Sequence, residues 1–374
     1  MSWWSNKYAY KGLYLAGFLF IAGLSLFYYR SAGEAEQWWP PILPKDVAEN
    51  NLLPVITEAS SKPPLVILFG GDVMLSRTVN AKMALYNDYL WPWREIASTT
   101  AAADLTVFNL ESPFLKEADY RVPTGSFLFK ANPLSADGLV FGGTDLVSLA
   151  NNHILNMGEP GLRDTLQILE EHDIAAVGAG KNFKEAHSGV LLTSGQWKVA
   201  FLAYAYPNDN SVADEDSPGI TTMNITDLTN DIARWCSQAD LVIILMHAGR
   251  EYVARPGAEQ IAFAHAAVAA GADAVIGHHP HWPQSAEVYL GKPIIYSLGN
   301  FIFDHMWSQE TSGGVMARLT FQEDLSGRAE LLPITIKDYG QVRPWPQLQP
   351  LTDFWSQYDL KVSTDLVWPE PIEL

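Results

Sequence analysis

The chain has 374 residues and a formal net charge of −18. That balance excludes the basic footprint nucleic-acid binding needs and makes the chain a poor long-range attractor of polyanions. Its single cysteine, Cys236, excludes an intramolecular disulfide, while an ordinary apolar fraction leaves material for a sizeable core.

Gly12 to Tyr29 carry no charge. As a helix they would span about 27 Å, close to the ~30 Å hydrocarbon core of a bilayer. Lys7 and Lys11 precede the run, and Trp3, Trp4, Tyr8 and Tyr10 suit an interfacial belt. Tyr28-Tyr29-Arg30 is a poor approach to a cleavage site, so residues 1–30 read as a cytoplasmic stub and an uncleaved anchor rather than a signal peptide. The membrane is thus an expected partner. The expected location is the cell membrane, single-pass, with everything after residue 30 periplasmic or at the cell surface. Residues 31–62 hold WWPP and SSKPP and read as a linker.

A domain is expected over residues 63–340. Leu65 to Phe69 form a continuous apolar run, as a buried parallel strand does. It leads into Gly70-Gly71-Asp72-Val73-Met74-Leu75, which places Asp72 at the strand's carboxyl end. Leu105 to Phe108 lead into Asn109-Leu110-Glu111, and Leu146 to Ala150 into Asn151-Asn152-His153. A helix follows from about Pro160. Ile174–Val177 and Val199–Tyr204 are further strands, and residues 207–221 read as a mobile loop at the rim of a site. Cys236 reads as a small core residue of a helical segment. Leu241 to Met246 deliver His247, and an alanine-rich helix (Gly257–Ala270) precedes Ala274-Val275-Ile276. Gly277 ends that strand, and three of the chain's nine histidines follow within four residues: His278, His279 and His281. A strand-like His-x-His would point His279 and His281 to one side, where two nitrogens can converge on a metal. Pro293 to Ser297 form another strand, and Gly314–Phe321 and Ala329–Ile336 alternate as half-exposed antiparallel strands do. The tail, 341–374, is expected to pack over the domain.

Strand, turn and helix repeat in this order, which argues an α/β fold with a largely parallel or mixed sheet. Open sheets of this kind place ligands at the carboxyl ends of their strands. Asp72, Glu111, Asn152, His153, His247, His279 and His281 all fall there. Each alone has an ordinary explanation as a cap, a turn or a solvated side chain. Together they are oxygen and nitrogen donors suited to borderline divalent ions, with Mn, Fe or Zn expected in one or two copies.

In this order, GDVML, NLESP, LANNHILNMG, HAGREY, GHHPHWPQ and YSLGNFIFD resemble the CapA family. That family is tied to poly-γ-glutamate capsule synthesis and has the fold of the calcineurin-like metallophosphoesterases, and the resemblance covers roughly residues 63–340. It implies a sheet core flanked by helices in a four-layer αββα sandwich. It implies metal ligation by Asp72, Glu111, Asn152, His247, His279 and His281, with Glu111 as a bridging carboxylate and His153 as the proton donor. Arg250, Glu251 and Asn300, in the later motifs, are expected to meet the substrate. Poly-γ-glutamate and other capsule synthase subunits are the partners it implies. The chain departs from the pattern at Met74, where a histidine is usual, at Glu111, where aspartate is usual, and at Ala248, where tryptophan is frequent. His278 and His279 compete for one ligand position, and the His-x-His spacing selects His279. Two functions stay open: a metal-dependent hydrolase, and a non-catalytic subunit that holds the polymer during synthesis or export.

Overall fold

The computed structural model describes residues 62–117, 120, 127–207, 211–345 and 365–368. The expected anchor, nearly all of the expected linker and most of the tail lie outside them. Among the described residues no helix is long and apolar enough to cross a membrane.

Seventeen strands form among the described residues, and the apolar runs at the centre of the sheets, such as Leu65–Phe69 and Leu241–Met246, bury both faces. In chain order the strands are β1 (Leu65–Val73), β2 (Leu105–Leu110), β3 (Leu146–Ser148), β4 (Ala175–Val177), β5 (Ala179–Gly180), β6 (Val190–Ser194), β7 (Trp197–Ala205), β8 (Gly219–Ile220) and β9 (Leu241–His247). There follow β10 (Ala274–His278), β11 (Ala286–Tyr289), β12 (Lys292–Ile295), β13 (Asn300–Ile302), β14 (Gly313–Phe321), β15 (Gly327–Lys337), β16 (Gln341–Pro344) and β17 (Asp365–Trp368). One sheet has the order β16-β15-β14-β1-β2-β3-β4, with β13 pairing β1 and β17 pairing β15; the other has the order β11-β12-β10-β9-β7-β6. In each sheet a parallel centre carries antiparallel strands outside it: β14 to β16 in the first, β6 and β11 in the second.

Side-chain alternation decides which core each strand feeds. On β9, Ile243 and Leu245 join the large cluster that contains Phe69, Val107, Phe108 and Phe301. Val242, Ile244 and Met246 face the other way, onto Leu228, Phe263 and Ala267. The helices Ile225–Trp235 and Ala258–Ala270 therefore cover the outer face of the second sheet. The result is a sheet-rich mixed α/β fold.

Two expectations change. Gly277 does not end β10, which continues to His278 because the strand keeps its register with β9 up to His247. Cys236 is exposed rather than in the core, since it caps the helix Ile225–Trp235 where the chain turns back toward β9. Gly277 matters through a close approach instead: a Cβ there would meet the Tyr296 carbonyl oxygen at 1.9 Å. Backbone cannot yield as a flexible side chain does, and overpacking costs about 1–3 kcal/mol. Gly277→Ala is therefore expected to lower the melting temperature by several degrees, measured by thermal denaturation; an unchanged transition would contradict this packing.

Candidate metal centre

Every donor arrives at the carboxyl edge of a parallel strand. β1 supplies Asp72, β2 supplies Asn109, and Glu111 lies one residue beyond it. Asn151, Asn152 and His153 follow β3, β9 ends on His247, and β10 ends on His278 just before His279 and His281. Register fixes their lateral positions. Asp72 lies opposite Asn109 on one side and Asn300 on the other, and His247 lies opposite His278.

Two groups of donors form. Ligand atoms of Asp72, Glu111 and His281 lie within 4.8 Å of one another, as do those of Glu111, His247 and His279. Glu111 belongs to both groups and is the residue at which they meet. Its Oε1 and the Nδ1 of His279 are buried with no hydrogen-bond partner among the described residues. Leaving such groups unpaired costs about 1–3 kcal/mol each, so these orphaned atoms fit a ligand the chain itself does not provide.

The electrostatics point the same way. Burial, then the neighbouring charges of Asp72 and Glu251, push the Glu111 carboxyl well above its usual range. Burial also acts to raise Asp72. That is outweighed by the hydrogen bond and charge of His281, with help from His278 and Asn109, so Asp72 stays below the usual range. Burial and then the other imidazoles hold His247 well below its ordinary value, and burial followed by His281 takes His279 down to about 4. Neutral imidazoles keep lone pairs for coordination. A divalent cation would reverse the repulsion between the two carboxylates. With oxygen and nitrogen donors and no thiolate, the set suits a divalent ion.

Surrounding asparagines fix the rings. The Asn300 amide nitrogen donates to the Thr311 carbonyl at 2.8 Å, so its Oδ1 accepts from His281 Nδ1 at 2.9 Å. His281 Nε2 lies 3.8 Å from Glu111 Oε1. The Asn109 amide nitrogen reaches Asp72 Oδ1 at 2.8 Å and His247 Nδ1 at 3.2 Å. The other edge of His247, Nε2, meets Asn152 Oδ1 at 2.9 Å. Asn156 Oδ1 accepts the Phe129 backbone N–H at 2.8 Å and lies 2.9 Å from His153 Nδ1. His153 Nδ1 therefore carries the proton, and its Nε2 faces Glu111 Oε1 at 3.8 Å. Phe129 stacks on the same ring at 3.9 Å.

His279, not His278, joins the donor cluster; His278 Nε2 meets the Gly70 carbonyl at 3.1 Å instead. The expected strand-like His-x-His geometry is not what brings the rings together. His279 has φ 97° and His281 φ 57°, left-handed conformations that fold the chain back so that the two ring centroids lie 6.1 Å apart. Met74 is buried, and its sulfur accepts the Ser76 N–H at 3.2 Å. Arg250 and Glu251 lie exposed on the loop after β9. Asn300, expected at the substrate, is instead fully buried with both amide atoms engaged, and it orients His281.

Sequence reasoning missed Asn109, Asn151, Asn156, His305 and Arg77. Asn109 had a signal: it stands two residues before Glu111, on the same side of the chain. Asn151 donates to Asn109 Oδ1 at 3.2 Å and to the Leu110 carbonyl at 2.9 Å, joining β3 to β2 beneath the donors. Nothing local marks Asn156 or His305. His305 packs 5.2 Å from His281 and 4.0 Å from Trp307 by ring centroids.

A family model described as "Bacterial capsule synthesis protein PGA_cap" matches residues 66–305. The chain is 30% identical over 312 residues to the capsule biosynthesis protein CapA of Bacillus anthracis, covering 81% of this chain and 75% of that one. It is 28% identical over 279 residues to the PGA biosynthesis protein CapA of Bacillus subtilis, covering 72% and 71%. Among solved structures, a putative 5'-nucleotidase of Staphylococcus aureus aligns at 14% identity over 79% of this chain and 58% of that one, with a TM-score of 0.43.

Proposed function

This chain belongs to the family of the bacterial capsule synthesis protein PGA_cap, and from that premise we propose that it is a membrane-anchored, extracytoplasmic metal-dependent hydrolase acting in poly-γ-glutamate capsule formation. The observation that carries the reading is Glu111: it is common to two donor groups, and its Oε1 has no partner among the described residues. The two sheets and their covering helices are read as the four-layer metallophosphoesterase arrangement.

Asp72, Glu111, Asn152, His247, His279 and His281 would hold one or two ions. A bound divalent ion lowers the pKa of water and polarises the oxygen of an ester or amide. The chain's own residues do the rest. Asn109 and Asn300 fix the donors, as outer-shell partners of metal ligands do. Asn156 holds the His153 ring by its Nδ1–H and turns Nε2 toward the reacting atoms. From Nε2, a proton passes to the leaving group. Burial first, and then the charges of His281, His279 and Arg77, take His153 down to about 4, despite an opposing pull from the Asn156 hydrogen bond. An incoming anionic substrate raises it and so loads the proton when it is needed.

The test is purification of the full-length protein, metal analysis, and assay on a γ-glutamyl oligomer and on an activated phosphodiester. Turnover of either with Mn, Fe or Zn bound supports the reading. Metal-loaded protein that holds the oligomer without cleaving it supports a polymer-binding subunit instead, a reading favoured by Met74 at a usual ligand position.

The anchor yields a second expectation. A periplasm-dependent reporter fused after Leu374 is expected to be active, because Lys7 and Lys11 keep the amino end in the cytoplasm. An inactive reporter at normal expression would contradict that orientation.

A further inference from the structure

Arg77 begins the helix Arg77–Tyr86 with φ 47°, a left-handed conformation that non-glycine residues seldom adopt. Strain of this kind persists where the surroundings impose it. Here the surroundings are clear. Asp304 pairs with the guanidinium through one oxygen, and its other oxygen accepts the Thr78 backbone N–H at 3.2 Å. The guanidinium carbon lies 4.8 Å from the Phe129 ring centroid and 5.5 Å from that of Phe303. These two phenyl rings lead straight to the donors. Phe129 stacks on His153 at 3.9 Å, and Phe303 packs on His281 at 4.6 Å and on His305 at 4.4 Å. The side chain is 18% exposed, so it is neither free in solvent nor sealed in the core. Its charge reaches Glu111, His153, Tyr252 and His305.

We propose that Arg77 is a substrate-binding residue whose guanidinium takes an anionic oxygen of the substrate, phosphoryl or carboxylate, beside the metal centre. The inference rests on reading the donor cluster as the reaction site. A planar guanidinium recognises either oxyanion through charge-assisted hydrogen bonds. A centre holding two carboxylates in a chain of net charge −18 needs a fixed cation at the point where an anion must enter. Asp304 and the two phenyl rings hold that cation in place before binding, so little entropy is lost when the anion arrives.

Calorimetry on the full-length, Mn-loaded protein decides the matter, with inorganic phosphate and tri-γ-glutamate titrated separately. Arg77→Met is expected to weaken at least one anion about 10- to 100-fold at unchanged manganese content. Arg77→Lys keeps the charge but loses the fork, and is expected to fall between Arg77→Met and the wild type. It also serves as the foldable variant if Arg77→Met does not fold. The anion affected identifies the substrate group, phosphate for a phosphoester and the oligomer for the polymer. If both variants bind both anions as the wild type does, or if Mn-loaded wild type binds neither, the inference is overturned. Failure of the wild type to take up any metal sinks the proposed function itself, so the two failures are told apart. A purely structural brace predicts that Asp304→Asn and Arg77→Met lower stability alike while anion affinity stays at the wild-type level, which would also overturn it.

Discussion

His281→Ala is expected to lower metal content and the melting temperature of the metal-loaded protein together. His281 is buried between Asp72 and Asn300, with Nδ1 3.2 Å from Asp72 Oδ2 and Nε2 turned toward Glu111. Removing the ring deletes a donor from the group that also contains Asp72 and Glu111. Ligand that binds only the folded state stabilises it by about 2.7 kcal/mol at one hundred times the dissociation constant. At this chain length that is a fall of several degrees. The substitution also strips a partner from Asp72 and Asn300, which costs about 1–3 kcal/mol even without metal. Chelation separates the two effects. A chelator is expected to lower the melting temperature of the wild type strongly and that of His281→Ala hardly at all. Equal chelator shifts in both proteins would show that His281 is not a ligand.

His153→Gln is expected to keep metal and fold while turnover falls about 10²- to 10⁴-fold, the usual contribution of a general acid. Glutamine can still hydrogen-bond near Asn156 and pack against Phe129, so the local structure survives. What it cannot do is carry a titratable proton at the Nε2 position. The pH profile carries the sharper signature. An acid loses activity as pH rises through its pKa in the substrate complex, so the alkaline limb due to His153 is expected to vanish in the variant. Full turnover by metallated His153→Gln removes this residue from the chemistry. Unchanged capsule production in a complemented deletion strain, with no hydrolysis by either protein, would move the assignment to a polymer-binding subunit.

The sequence by itself determined which apolar runs become strands of the parallel centre and the edge at which the site lies. Leu65–Phe69, Leu105–Phe108 and Leu241–Met246 are apolar throughout, which is what strands buried on both faces require. The polar residues that follow each run had nowhere to go but the carboxyl edge. Asp72, Glu111 and His247 were legible for that reason, and the six ordered motifs made the family legible too. What the sequence could not decide depends on contacts between distant segments. Asn109 and Asn300 flank Asp72 only because β2 and β13 pair with β1 in that register. His279 and His281 converge through left-handed backbone that no periodicity announces. Arg77 meets Asp304 across 227 positions of chain. Periodicity reports which face of an element is buried, not which element lies against it, so only the tertiary structure could place these side chains around one centre.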